Sequence, residues 1–421
     1  MNENIEFKTV FRGVGQGLFY TGKIGNFNFV YDCGSNQKRD LMRAIELYKR
    51  DMRPHEDTSR RRINLLIVSH FHYDHTNGLD KLLEDVELED VVIPYFTPIE
   101  RLILALRRKN LPEWYSDWYP ELLRNPVSFF LIEKKARRVI IIGREGREGL
   151  PEYKGPSRDE KVDFEEMPDD EKLKKLILMN DPSWEKFMKD GRLLVKNHNI
   201  PFVLLGWIFR FFNYKPEEKN MRRFQNCIDS KGIKPSNSTF IEDIKDAITD
   251  SSKRIELKSC YNHLHRDLNN TSLVVYHGPL GKYKCKFHVS SKYGLLFDGN
   301  QNLCISTTSR PCSFSNENQM GQFLTGDINL NHDYGQIKTH YHNLLNRTSI
   351  CQIPHHGSWK NWNRTFLEEL ENCGHWVASS GFSIQYGHPH ISIVRDIISK
   401  NCSFYWCNQG NQFMTEGVVK W

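Results

Sequence analysis

Short apolar runs, separated by charged and turn-forming stretches, set the rhythm of this chain. Alternation and β-branched content predict strands over Phe7 to Val10, Asn26 to Tyr31, Asn64 to Val68 and Val91 to Pro94. Between them, Leu41, Ile45 and Tyr48 recur at the spacing of one helix face over Arg39 to Arg50, and Leu79 to Leu83 reads as a short helix. From Thr97 to Ile200 the sequence becomes charged and dotted with aromatic residues. Helical spacing covers Ile99 to Arg108 and Glu171 to Met179, with a strand candidate at Arg138 to Ile142. The core pattern resumes in the apolar run Pro201 to Phe212. Thr239 and Glu242 then form a capping box ahead of a stripe of Ile241, Ile244 and Ile248. Further strands are expected over Leu273 to Tyr276, Phe323 to Asp327 and Ile350 to Ile353.

Chemistry concentrates where the strand Asn64 to Val68 ends, in Ser69-His70-Phe71-His72-Tyr73-Asp74-His75. Side chains alternate along an extended segment, so His70 and His72 point to the same side and can grip one cation. After a turn at Tyr73, Asp74 and His75 are placed to grip a second. Imidazole and carboxylate donors suit zinc and also accept manganese. A merely solvated histidine-rich loop would not be expected to follow a buried strand with this spacing.

The H-x-H-x-D-H stretch resembles the hallmark of the metallo-β-lactamase superfamily, which implies an α/β fold of αββα sandwich type with a dinuclear metal site on its edge. Several segments narrow the resemblance to the hydrolase domain of ComEC-type DNA-uptake proteins and their stand-alone relatives. These are Phe11-Arg12-Gly13-Val14-Gly15-Gln16-Gly17, Tyr31-Asp32-Cys33-Gly34-Ser35, Asn269-Asn270-Thr271-Ser272-Leu273-Val274, Thr325-Gly326-Asp327, Pro354-His355-His356-Gly357-Ser358, and Ser379 to Pro389. Gly13 and Leu18 stand where that family has aspartates, and Ile384 where it has an asparagine. The resemblance implies that Asp327 bridges two metals and that one of His355 and His356 completes the second metal's shell, with His355 favoured. The other histidine would touch substrate or a ligand. His388 is the candidate for donating a proton to the leaving oxygen or binding the developing charge, and Asn269, Asn270 and Tyr386 are candidate substrate contacts.

Composition narrows the setting. With 421 residues and 39% hydrophobic content the chain is expected to form one metallo-β-lactamase-fold domain over 1–421, with a mostly helical insertion at 97–200. That insertion could border the site or meet a protein partner. The cluster Trp114, Tyr115, Trp118 and Tyr119 near Arg107, Arg108 and Lys109 could stack bases, or form the insertion's own small core. A net charge of +6 permits an anionic substrate without requiring one. The ten cysteines lack CxxC pairs and read as reduced thiols. Without a leader-like start or an apolar span of membrane length, a cytoplasmic protein is expected. The functional expectation is a hydrolase with two divalent ions, zinc before manganese, that cleaves phosphodiesters as a nuclease, with DNA favoured over RNA. The alternatives are a small-molecule phosphodiesterase, phosphocholine esterase or lactonase, and a metal-stabilised binding subunit without catalysis.

Overall fold

A computed structural model of the chain describes residues 4–52, 54, 60–106, 118–143, 161–198, 201–213, 223, 226–231, 252, 260, 272–291, 294–297, 303–306, 312–317, 319–382 and 386–421. Two mixed sheets lie face to face. Numbered along the chain, the first sheet takes β1 (Asn4–Phe11), β2 (Phe19–Ile24), β3 (Phe27–Cys33), β4 (Arg61–Ile67), β5 (Val86–Pro94), β6 (Arg138–Ile142) and β7 (Leu193–Lys196). The second takes β8 (Phe202–Leu204), β9 (Trp207–Phe212) and β10 (Val274–Pro279). The first then gains β11 (Lys284–Ser291), and the second β12 (Gly294–Phe297) and β13 (Leu303–Ser306). After β14 (Cys312–Glu317) of the first sheet come β15 (Gly321–Leu324), β16 (Thr348–Gln352), β17 (His375–Ser379) and β18 (Ser403–Cys407) of the second, and β19 (Phe413–Lys420) returns to the first. In each sheet an antiparallel flank leads into a parallel block, β3 to β7 in one and β15 to β18 in the other.

The parallel strands are buried on both faces, which explains why they read as continuous apolar runs. On β4, Leu65 and Ile67 enter the core between the sheets, while Leu66, and Val68 just beyond the strand's end, pack outward. There they meet Leu41, Ile45 and Tyr48 of helix α1 (Lys38–Asp51). On the far side, Phe323, Cys351 and Trp376 pack under helices α2 (Leu330–Leu345) and α3 (Ile391–Ser399). The layering is helix, sheet, sheet, helix, consistent with the metallo-β-lactamase fold.

The segment 97–200 holds helices at Pro98–Leu106, Trp118–Arg124 and Glu171–Asn180, and it also supplies β6 and β7, which extend the first sheet. Trp118 and Tyr119 pack into the outer core, whereas Trp114, Tyr115 and residues 107–109 lie outside the described residues, as does the expected capping box at Thr239. The reading of all cysteines as reduced thiols is corrected by a Cys227–Cys260 disulfide. These two residues are 33 positions apart with Cα atoms at 5.5 Å, a proximity created by folding and invisible in local spacing. Among the described residues, no helix is long and apolar enough to cross a membrane.

Candidate metal centre

The carboxyl ends of the parallel strands meet along one edge of the sandwich, where open α/β sheets place their sites. From the first sheet come Asp32 on β3 and the loop after β4. From the second come Asp327 after β15, His355 and His356 after β16, and Ser379 closing β17. A short helical turn at Tyr73–Thr76 follows His72 and redirects Asp74 and His75. Tight backbone packing holds that turn in place. A Cβ at Gly34 would fall 2.5 Å from His75 N, so only glycine fits beneath it.

Two clusters of donor atoms result. His70, His72 and Asp327 form one, and Asp74, His75 and His356 form the other, each with its donor atoms within 4.8 Å of one another. Each triad draws on both sheets. Asp327 stands between them, its Oδ1 3.2 Å from His75 Nε2 and 3.8 Å from His356 Nε2, and its Oδ2 3.7 Å from His70 Nε2. His356 Nε2 lies 3.4 Å from Asp74 Oδ2. His356, rather than the favoured His355, is thus the histidine grouped with Asp74 and His75. Both residues have positive φ, 47° and 59°, a turn uncommon for side-chain-bearing residues that sends the two rings different ways. His355 sits beside the pair instead, with Nε2 3.7 Å from Asp327 Oδ2.

The inward aim of the ligand rings is set from behind. His75 Nδ1 is 2.7 Å from Asp32 Oδ2, a carboxylate that also accepts from the Ser69 backbone N–H and hydroxyl at 2.6 and 2.5 Å. His70 Nδ1 is shared by the hydroxyls of Ser69 at 2.8 Å and Ser272 at 3.1 Å. Ser272 in turn accepts from the Asp327 N–H at 2.8 Å. His356 Nδ1 donates to the Ser379 carbonyl at 2.9 Å. Such outer partners set tautomer and orientation in metal sites. Sequence reasoning quoted Asp32, Ser272 and Ser379 inside motifs without assigning them roles; a buried-acid position at the end of β3 was the available signal for Asp32.

With the outer nitrogens occupied, the inner atoms are left over. His70 Nε2, His75 Nε2, His356 Nε2 and Asp327 Oδ1 are buried and make no hydrogen bond. Buried polar atoms in such numbers need partners, and a divalent cation fits four of them with nitrogen and oxygen donors alike. Electrostatics agree. Burial disfavours charge on His75 and His356, yet the carboxylates Asp327, Asp32 and Asp74 outweigh it and raise both histidines above their usual value. Burial would likewise raise Asp74 and Asp327, but the surrounding histidines hold both carboxyls below the ordinary range. The cluster therefore demands positive charge.

At the mouth, His388 is partly buried, its ring centroid 6.2 Å from those of His355 and Tyr386, with Nδ1 lacking a hydrogen bond. Burial first, then His356 and His355, lower it to about 4. Tyr386 is exposed, and Asn269 and Asn270 lie outside the described residues.

Residues 12–171 match the family model of the metallo-beta-lactamase superfamily. That match takes in His70 to His75 and ends before Asp327 and His356; it suggests a metal-dependent hydrolase. No curated protein matches the chain. Among solved structures, the metallo-beta-lactamase fold protein YhfI from Bacillus subtilis is similar at 13% identity, over 49% of this chain and 54% of that one, with a TM-score of 0.20. The chain thus spans about half the length of that protein.

Proposed function

We propose that this protein is a metal-dependent phosphodiesterase acting on nucleic acid, with DNA favoured over RNA. The observation that supports the reading most is the pair of donor triads sharing Asp327, with their ring orientations fixed from outside and their inner atoms left without hydrogen bonds. His70, His72 and Asp327 would hold one divalent ion, and Asp74, His75 and His356 a second, zinc or manganese by donor chemistry. Two such ions activate water near neutral pH and stabilise charge on the entering and leaving oxygens of a displacement.

The residues themselves do the rest. Asp32, Ser69, Ser272 and Ser379 keep the ligand rings in one tautomer and orientation, so little reorganises as charge develops. His388 is neutral at pH 7, so between its two proposed roles it serves as an N–H donor to the developing charge rather than as a source of a full proton. His355, beside Asp327 at the open side of the cluster, is placed to touch a substrate phosphate. The choice of nucleic acid among phosphodiesters follows from the resemblance to ComEC-type hydrolase domains in the motifs from Phe11 to Pro389.

The test is hydrolysis of end-labelled single-stranded DNA, duplex DNA and RNA with zinc or manganese, wild type against Asp74→Ala and Asp327→Ala. Cleavage lost in both variants supports the reading. Metal-loaded protein that cuts no polymer refutes it and directs attention to small phosphodiesters.

A further inference from the structure

Among the described residues, three aromatic side chains are more than a third exposed: Trp359 at 55%, Phe382 at 56% and Tyr386 at 48%. All three stand on the two loops that frame the candidate metal centre. Trp359 follows His356 on the turn after β16, and Phe382 and Tyr386 belong to the loop that leaves β17 and leads to His388. These loops lie against one another: the His390 N–H donates to the Gly357 carbonyl at 3.0 Å, and a Cβ at Gly357 would fall 2.7 Å from Pro389.

Each ring is braced from one side and open on the other. The Trp359 ring is 6.1 Å from that of His390, Phe382 meets Trp406 edge-on at 5.3 Å, and Tyr386 lies 6.2 Å from His388. The backbone beneath is anchored too, since the Phe382 N–H donates to Gln409 Oε1 at 3.2 Å. Ile391, also exposed, starts α3 beside them, and the exposed cations Lys360 and Arg395 flank the group, Arg395 one turn beyond Ile391 on the same helix face. Braced aromatic rings in water, bordered by cations and confined to the rim of one site, are the makings of a surface that stacks planar groups on a charged backbone.

We propose that Trp359, Phe382 and Tyr386 form a stacking platform for successive bases of a single-stranded nucleic acid, so that its backbone is laid beside the two donor triads. The proposal rests on the phosphodiesterase reading above. A single strand fits because its base faces are open, whereas a duplex hides them; stacking is also indifferent to sequence, as every base has a π-face. Three rings on two loops suit several bases better than one mononucleotide. The adjacent cations match the phosphates.

The experiment is fluorescence anisotropy with labelled oligo-dT and an abasic strand of equal length, in chelator so that nothing is cut. Wild type should bind oligo-dT more tightly than the abasic strand. Trp359→Ala, Phe382→Ala and Tyr386→Ala should each weaken oligo-dT binding by about 5- to 150-fold while leaving the abasic strand's affinity in place, and Tyr386→Phe should retain wild-type binding. Equal wild-type affinity for both strands, or alanine variants that bind oligo-dT unchanged, would overturn the platform. Adding zinc or manganese separates the two ideas. Base-dependent binding without cleavage leaves the platform standing and removes the nuclease reading; cleavage with base-independent binding does the reverse.

Discussion

At the scale of single residues, the carboxylate behind a histidine matters as much as the histidine. Asp32 reaches the centre through His75 Nδ1 and, by way of the Ser69 hydroxyl, through His70 Nδ1, so Asp32→Asn should keep the fold and lower metal affinity about 10- to 100-fold, read by titration with zinc. The adjacent histidines give a sharper contrast. His356→Ala should lose one equivalent of bound metal by elemental analysis, whereas His355→Ala should keep its metal and lose turnover. Proton linkage follows from the raised His75 and His356, which must shed their protons to ligate a cation. Metal affinity should therefore be held at high pH and fall as pH drops through their raised values. Calorimetry in buffers of different ionisation enthalpy should record protons released on binding; a heat independent of buffer would contradict this account. The sequence made the H-x-H-x-D-H residues legible because their spacing works inside one loop. It left His355 and His356 undecided because a left-handed turn, not spacing, separates their directions.

At the scale of elements, the sheets are joined by a buried polar chain as well as by apolar packing. Trp207 on β9 donates to His277 Nδ1 at 3.3 Å, and His277 Nε2 is 2.8 Å from the Tyr20 hydroxyl, which donates to Gln322 at 2.8 Å. Trp207, His277 and Gln322 stand on the second sheet and Tyr20 on the first, so the chain crosses the interface. Burial lowers His277 to about 3, and it lowers His375 and His198 to about 4. All three are neutral when folded and take a proton near 6.5 when unfolded. The unfolded chain therefore binds more protons between about 6.5 and 4, and stability present above that window is lost as pH falls through it. Each should cost roughly 2 kcal/mol at pH 5, measurable by urea unfolding of the metal-free protein, and His277→Gln should remove its share, about a third, of the dependence that the three contribute. The β15 turn is the other sensitive element. Gly326 has φ +56°, and a Cβ there would meet Ser272 at 2.9 Å, so Gly326→Ala should displace Asp327 and reduce metal binding together with thermal stability. Most parallel strands were readable because burial on both faces makes them uniformly apolar; the parallel β7, β17 and β18 escaped a reading centred on motifs, as did the antiparallel β2, β11 to β14 and β19.

At the scale of the whole molecule, the candidate metal centre spans the two sheets, since each triad takes His or Asp residues from the loop after β4 and one residue from the loop after β15 or β16. Cations bound there should stabilise the sandwich as a unit. At a free concentration about a hundred times the dissociation constant the gain is about 2.7 kcal/mol, so chelation should lower the melting temperature in wild type and hardly at all in Asp327→Ala. A chelator-insensitive wild type would contradict this. The sequence alone determined the local half of this protein: which runs become strands and where the H-x-H-x-D-H cluster sits, since period and spacing act over a few residues. That Asp327 and one of two histidines belong with that cluster came from the family resemblance, not from spacing. Tertiary structure decided the rest. It grouped His356 with Asp74 and His75, set Asp32, Ser272 and Ser379 behind the clustered rings, drew two strands of the first sheet from 97–200, joined Cys227 to Cys260, and placed the exposed rings on two touching loops. Each of these depends on contacts between segments far apart in the chain, where only the packing of one sheet on the other brings the partners into reach.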